Sequence, residues 1–381
     1  MNIRKKEKLN SFHKTWVEID KKAFISNLRA LKNFISKDAK IIPVLKADAY
    51  GHGVLALAKE VQKEGVKHLA VFSLDEGLFL RKNGIKTKIL LLDRLFLKEA
   101  FEKAAHYSIM PSISDIKSLK IFQSIAIKLK RQLPFHLEID TGMGRTGILA
   151  QDAKSLLKKI SQMRDIKMAG LFSHFSSAGT DADFTKRQLK DFLDIVKYAR
   201  FDLKQDFLAH ISSSAGILQG ANFHIDAVRI GISIYGAAFL REFANIGVKL
   251  KPILSWKTQI ADIKKVPSNY SISYGRTFIT KKPSTIAVLP IGYADGYNRL
   301  LSNKAFVLIK GKRCPVIGAV TMNMTMIDIS HLKKVSIGSE AVLIGKQAKE
   351  EINAQELAQI QGTISYEVLC LISDKIERIV F

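Results

Sequence analysis

The chain has 381 residues, 47% hydrophobic and 25% charged, with a net charge of +25. That length and apolar content call for a sizeable buried core, arranged as two domains or as one large barrel with an appendage, and they exclude a disordered chain. The only cysteines, Cys314 and Cys370, have no metal-ligand spacing, so neither a disulfide framework nor a zinc site is expected, and a reducing, cytoplasmic compartment is.

Residues 1–14 are basic but carry no apolar stretch of the secretory kind. No run of about 18 apolar residues predicts a membrane span. The lysines are spread along the whole chain, as in 117–131, without interleaved aromatics. They read as a solvated surface that favours anionic small molecules; no nucleic-acid partner is expected.

The run 15–20 reads as an extra strand, and a helix over 21–35 follows it. Strand candidates then lie at 41–45, 69–72, 89–92, 108–110, 135–139, 168–172, 207–211 and 226–230. Between them the pattern is helical at 56–63, 75–82, 98–106, 114–131, 150–163 and 183–200. Eight strands separated by helices are what a parallel (β/α)8 barrel requires. A doubly wound sheet is the runner-up, but no Gly-rich dinucleotide fingerprint follows the first strand. Near Val248 the texture changes to short β-rich runs (253–261, 285–289, 305–309, 324–329, 340–344) and a helix over 354–360 behind Asn353 as N-cap. The fold class expected is α/β, an N-terminal (β/α)8 TIM-like barrel over 1–248 and a C-terminal, mostly β domain over 249–381.

The segment from Lys46 to Gly53, KADAYGHG, is the most informative. A lysine at the carboxyl end of a barrel strand sits where such barrels keep their chemistry, and it can form a Schiff base with an aldehyde cofactor. Alone, Lys46 reads equally as a solvated lysine before a Gly-rich turn. Other polar residues also fall just after strand candidates: Tyr50 after the first, Asp140 and Arg145 after the fifth, His174 after the sixth, His210 and Ser214 after the seventh, and Arg229, Gly231 and Ile232 on or after the eighth. In a parallel barrel these ends converge at one mouth.

These motifs resemble, in order, those of the alanine racemases, pyridoxal phosphate (PLP) enzymes of fold type III. The resemblance rests on KADAYGHG, DTGMGRTG at 140–147, SHF at 173–175, HISSSAG at 210–216, VRIGI at 228–232, SYG at 273–275 and PIGYADGY at 290–297. It implies that Lys46 holds the cofactor and serves as one base, and that Tyr274 of a neighbouring subunit serves as the other. Such an enzyme is a homodimer with shared sites. A free tyrosine has a pKa near 10, so Tyr274 needs help to act as a base; the resemblance assigns that help to His174 and, through it, Arg229. The resemblance also implies that Arg229 faces the pyridine nitrogen, where an arginine that stays protonated keeps it unprotonated. By the same resemblance the phosphate is expected to be held by Tyr50, Ser214, the N–H groups of Gly231 and Ile232, and Tyr366. Arg145 resembles the arginine that contacts the cofactor's phenolic oxygen and positions the substrate carboxylate, and Met322 and Tyr293 are expected at the substrate side. His210 is expected behind the cofactor. In this family the segment over 10–20 joins the β domain, which would make the domain boundary discontinuous.

The chain departs from the family at three places. Glu138 stands where many members have a carbamylated lysine that pairs with the arginine of DTGMGR, and Glu138, itself an anion, is expected to hold Arg145 instead, directly or, since its side chain is shorter, through a bridging water or anion. Thr321-Met322-Asn323 replaces the usual Cys-Met-Asp, and Ser365 replaces an asparagine before Tyr366. The function expected is racemisation of alanine by two-base proton transfer, supplying D-alanine for peptidoglycan. The alternatives are a PLP racemase of another amino acid, such as serine or a broad-specificity enzyme, and a non-catalytic PLP-binding protein.

Overall fold

The computed structural model describes residues 14–381; the basic start of the chain considered above lies outside the described residues, except for Lys14. The chain divides into two compact units, one over Phe24–Lys251 and one formed by Pro252–Phe381 with the residues before Phe24.

The first unit is a parallel barrel. After β1 (Thr15–Ile19) and α1 (Lys21–Phe34) come β2 (Lys40–Pro43), the turn α2 (Lys46–Gly51), α3 (Val54–Lys63), β3 (His68–Val71), α4 (Leu74–Lys82), β4 (Lys88–Arg94), α5 (Lys98–His106), β5 (Ile109–Ile113), α6 (Ile116–Leu129) and β6 (Leu133–Asp140). They are followed by β7 (Ile148–Leu149), α7 (Ala150–Ile160), β8 (Ile166–Phe172), α8 (Ala182–Lys197), β9 (Leu208–His210), β10 (Ala227–Ile230) and α9 (Leu240–Asn245). The strands run in the order β2-β10-β9-β8-β6-β5-β4-β3. A parallel bridge between Val44 and Ala70, with Leu45 N–H donating to Ala70 O at 2.8 Å, closes the ring. The strands are buried on both faces, as in β3 and β10, where every residue is buried, because helices cover the outside. Polar caps start the helices: Ser73 and Glu76 form a capping box on α4, and Asp115 and Asp181 cap α6 and α8. This is the expected (β/α)8 architecture, with each of the eight strands displaced by no more than three residues at either end.

The second unit is sheet-rich. Its strands are β1, β11 (Leu254–Gln259), β12 (Asp262–Val266), β13 (Ser271–Ile272), β14 (Phe278–Ile279), β15 (Ser284–Leu289), β16 (Phe306–Ile309), β17 (Lys312–Pro315), β18 (Thr325–Asp328), β19 (Glu340–Gln347), β20 (Glu350–Ile352) and β21 (Glu377–Val380). The main sheet runs β17-β16-β19-β11-β1-β21, and β12-β15-β18 form a smaller one. β1 pairs antiparallel with β11 and parallel with β21. Asn353 caps α10 (Ala354–Gln361) by accepting from Glu356 N–H at 2.9 Å, and α11 (Ser365–Cys370) carries Tyr366. No helix among the described residues is long and apolar enough to cross a membrane.

Candidate active site

The barrel brings Lys46, Tyr50, Ser214, Arg229, Gly231 and Ile232 to the carboxyl ends of β2, β9 and β10, which are neighbours in the sheet. The stretch after Lys46 does not form the ordinary helix that its small residues would allow. Ala47, Asp48, Ala49 and Tyr50 have φ between 50° and 56°, a left-handed turn of four L-residues in a row. Each costs roughly 1–2 kcal/mol relative to the right-handed form. Specific bonds hold the turn in place. Ala49 N–H donates to Leu45 O at 3.0 Å and Gly53 N–H to Asp48 O at 3.0 Å. Asp48 accepts from Val54 N–H at 2.7 Å. Glu76 takes Ala47 N–H on one carboxylate oxygen at 2.6 Å, and Phe72 and Ser73 N–H on the other. Strain concentrated beside one lysine marks a position set by function.

The turn carries the Tyr50 ring inward, where it is buried and tilted against Tyr235 with centroids 5.0 Å apart. Tyr235 is fixed in turn by donating to Val44 O at 2.7 Å and by the His52 ring stacked on it. A Cβ on Gly231 would lie 2.4 Å from the Tyr50 hydroxyl, so glycine is what lets that hydroxyl reach the backbone. Ile232 opens a short 3-10 turn, Ile232–Tyr235, whose first N–H groups have no acceptor within the turn. Ser214 Oγ accepts from Ser233 N–H at 3.3 Å, and the buried Ser233 Oγ has no partner among the described residues. Hydroxyls, the N–H of Ile232 at the start of the turn and a backbone cleared of side chains suit a phosphate.

Arg229 is buried and donates to Ser173 O, Ile211 O, His210 O, His210 Nδ1 and His174 Nδ1, at 2.5–3.2 Å. None of these acceptors is a carboxylate. Burial lowers the Arg229 pKa to about 10, with Glu138 opposing and Arg145 adding to the fall, so the guanidinium is still charged near neutrality. A protonated guanidinium offers only donors. The ring nitrogen it meets on each histidine is therefore an acceptor, and His210 and His174 each carry their proton on Nε2. Burial first, then the charges of Arg229, Arg145 and Lys46, pushes His174 down to about 3. His210 lies well below its ordinary value for the same leading reasons, burial and Arg229. Both rings are neutral donors at physiological pH.

The DTGMGRTG loop is organised by Asp140, which accepts from the N–H groups of Gly142, Met143 and Gly144. Arg145 is exposed on this loop. No direct ion pair joins Glu138 to Arg145 among the described residues. Glu138 is buried and accepts from Thr146 Oγ1 at 2.9 Å. It shares a strand face with His136, two residues back, and the charges of Arg229 and Arg145 both act on its carboxyl. Burial raises its pKa, with the Thr146 bond opposing.

In the second unit Tyr274 is 72% exposed, Met322 56% and Tyr293 45%, while Tyr366 is partly buried with its hydroxyl pushed up to about 12 by burial. The sequence reading missed Glu76, Tyr235, Thr146 and His136. For His136 a signal existed: in PFHLEID, His136 and Glu138 interrupt an apolar run with period two, which places two polar side chains inside the barrel.

Profiles of the alanine racemase N-terminal and C-terminal domains match residues 19–238 and 253–380. The alanine racemase of Methylacidiphilum infernorum is 42% identical over 368 residues, 96% of this chain and 92% of that protein. The structure of the Bacillus anthracis alanine racemase with bound L-Ala-P is 34% identical and superposes with a TM-score of 0.89, covering 97% of this chain and 96% of that one. That of the Bartonella henselae enzyme with covalently bound pyridoxal phosphate is 26% identical, with a TM-score of 0.86 and coverage of 97% and 99%. With both domain profiles matched along almost its whole length, this chain belongs to the alanine racemase family.

Proposed function

We infer that this protein interconverts L- and D-alanine, with pyridoxal phosphate as cofactor. The observation that carries the reading is the convergence of Lys46, Tyr50, Ser214, Arg229 and Gly231 on three adjacent strand ends. Their chemistry fits a phosphate-bearing aldehyde: an amine on a strained turn, small residues and hydroxyls for the phosphate, and a fixed cation. When bound, the cofactor draws electrons from the α-carbon of an attached amino acid and makes its hydrogen removable.

Lys46 Nζ would move that proton on one face and the partner's Tyr274 on the other. The exposure of Tyr274, with Met322 and Tyr293, supports a homodimer that shares its sites. The Nε2–H of His174, whose direction Arg229 sets, is available to steady a phenolate. Arg229 keeps its own proton and so would leave the pyridine nitrogen it faces unprotonated. Tyr366 would join Tyr50 and Ser214 at the phosphate, and Arg145, Met322 and Tyr293 would orient the substrate. The D-alanine would serve peptidoglycan, made from precursors in the cytoplasm.

Chiral analysis of L-alanine incubated with the purified protein tests the reading. Conversion to D-alanine by the wild type and none by Lys46→Ala is expected. No conversion by the wild type, with cofactor bound, overturns it.

A further inference from the structure

Behind the Arg229 site lies a second buried imidazole that the reaction as described does not use. His136 Nδ1 sits 2.9 Å from His210 Nε2, both rings fully inside the barrel. Its neighbour Gly170 on β8 makes the room: a Cβ there would lie 2.1 Å from His136 Nδ1 and 2.3 Å from Cε1, in hard clash with the ring. That is a backbone fixed in a central strand against a packed ring, so neither can yield cheaply.

The direction of the bond follows from the charge at the other end. Arg229 donates to His210 Nδ1, so His210 carries its proton on Nε2 and must donate to His136. His136 Nδ1 accepts, and its own proton lies on Nε2, which meets no partner among the described residues. The opposite arrangement would aim an N–H of His210 at a guanidinium N–H. His136 thus supplies the acceptor that makes the productive tautomer of His210 the favoured one.

We propose that His136, in the space left by Gly170, is a positioning residue for Arg229: by accepting from His210 it fixes that ring as a hydrogen-bond acceptor for the guanidinium. The inference rests on the reading of Arg229 as the group that faces the cofactor.

The test uses the holoenzyme with 15N-labelled histidine, in which the tautomer of each ring is read by NMR, together with steady-state kinetics. In the wild type, His136 and His210 are expected as Nε2–H tautomers; an Nδ1–H tautomer at His210 overturns the proposal. His136→Phe keeps the ring volume but removes the acceptor, and Gly170→Ala displaces it. Both should give mixed tautomers at His210 and a fall in kcat/KM of about tenfold or more, as for a lost buried acceptor. His136→Asn, whose oxygen lies near the place of Nδ1, should restore the single tautomer and most of the activity. Should tautomers mix in the first two variants with kcat/KM unchanged, the positioning role is overturned although the hydrogen-bond chain stands. Failure of the Arg229 reading is separate: it would appear as Arg229→Lys having wild-type kinetics while the wild-type tautomers remain as described.

Discussion

The hydroxyl of Tyr50 lies over Gly231 so closely that a Cβ would come within 2.4 Å of it. The two residues belong to different strand ends, and only the left-handed turn after Lys46 brings the ring there. Because Tyr50 is buried against Tyr235, it has no room to swing aside. Gly231→Ala should therefore displace the hydroxyl and crowd the phosphate site. Cofactor affinity, measured by titrating apoprotein with pyridoxal phosphate, should fall about 10- to 100-fold, or about 1.4 to 2.8 kcal/mol. Unchanged affinity would mean that the phosphate lies elsewhere.

Four histidines held below their ordinary pKa values make the barrel sensitive to acid. Burial, helped by nearby cations, holds His68 at about 4, His136 at about 3 and His174 at about 3, with His210 well below its ordinary value. In the unfolded chain these rings take up protons near pH 6.5. The folded state binds fewer protons between the two values, so the stability of the neutral forms is complete above about pH 6.5 and is lost as pH falls towards 4. Glu138, raised by burial, works in the opposite sense. The Tm should drop through that window, and less steeply in His136→Asn. A Tm flat from pH 6.5 to 4 would contradict the burial of neutral imidazoles.

The barrel was legible because its strands are short apolar runs and its helices keep a 3.6-residue period, two signals that local sequence carries. The candidate site was legible where a polar residue closes a strand, as with Lys46, His174 and Arg229. What was not legible depends on contacts distant in sequence. That Glu138 bonds Thr146 rather than pairing directly with Arg145 was not legible, because it depends on how the loop after β6 folds back over the strand. Glu76 reads as an ordinary capping-box residue, and its second task of holding Ala47 N–H depends on where the barrel places the neighbouring strand end. Likewise β21 needs the position of β1, some 360 residues earlier, before its strand identity is visible.

The Glu138–Thr146 bond predicts a pattern among variants. Glu138→Gln keeps an oxygen for the Thr146 hydroxyl and should leave kcat/KM within about threefold. Glu138→Leu leaves the half-buried Thr146 hydroxyl without its acceptor, a loss of about 1 kcal/mol. It should loosen the loop that carries Arg145 and lower kcat/KM about tenfold, mainly through KM for alanine. Thr146→Val should track Glu138→Leu. A severe loss in Glu138→Gln instead would show that the charge itself matters.

The left-handed turn gives the most direct test of stored strain. Ala47 is exposed, so its methyl contributes little packing, yet its φ is 52°. Glycine reaches this region without the Cβ clash, although it makes the unfolded chain more flexible. At an exposed site in a right-handed helix, Ala→Gly costs about 1 kcal/mol. At Ala47 the sign should reverse, with Ala47→Gly stabilising the protein by about 0.5–1 kcal/mol in thermal or urea unfolding. Ala47→Val adds a branched Cβ where even alanine is strained, and it should cost about 2 kcal/mol. If activity falls in Ala47→Gly while stability rises, the rigid turn itself aims Lys46; if both rise together, the strain serves only to bring Tyr50 to Gly231.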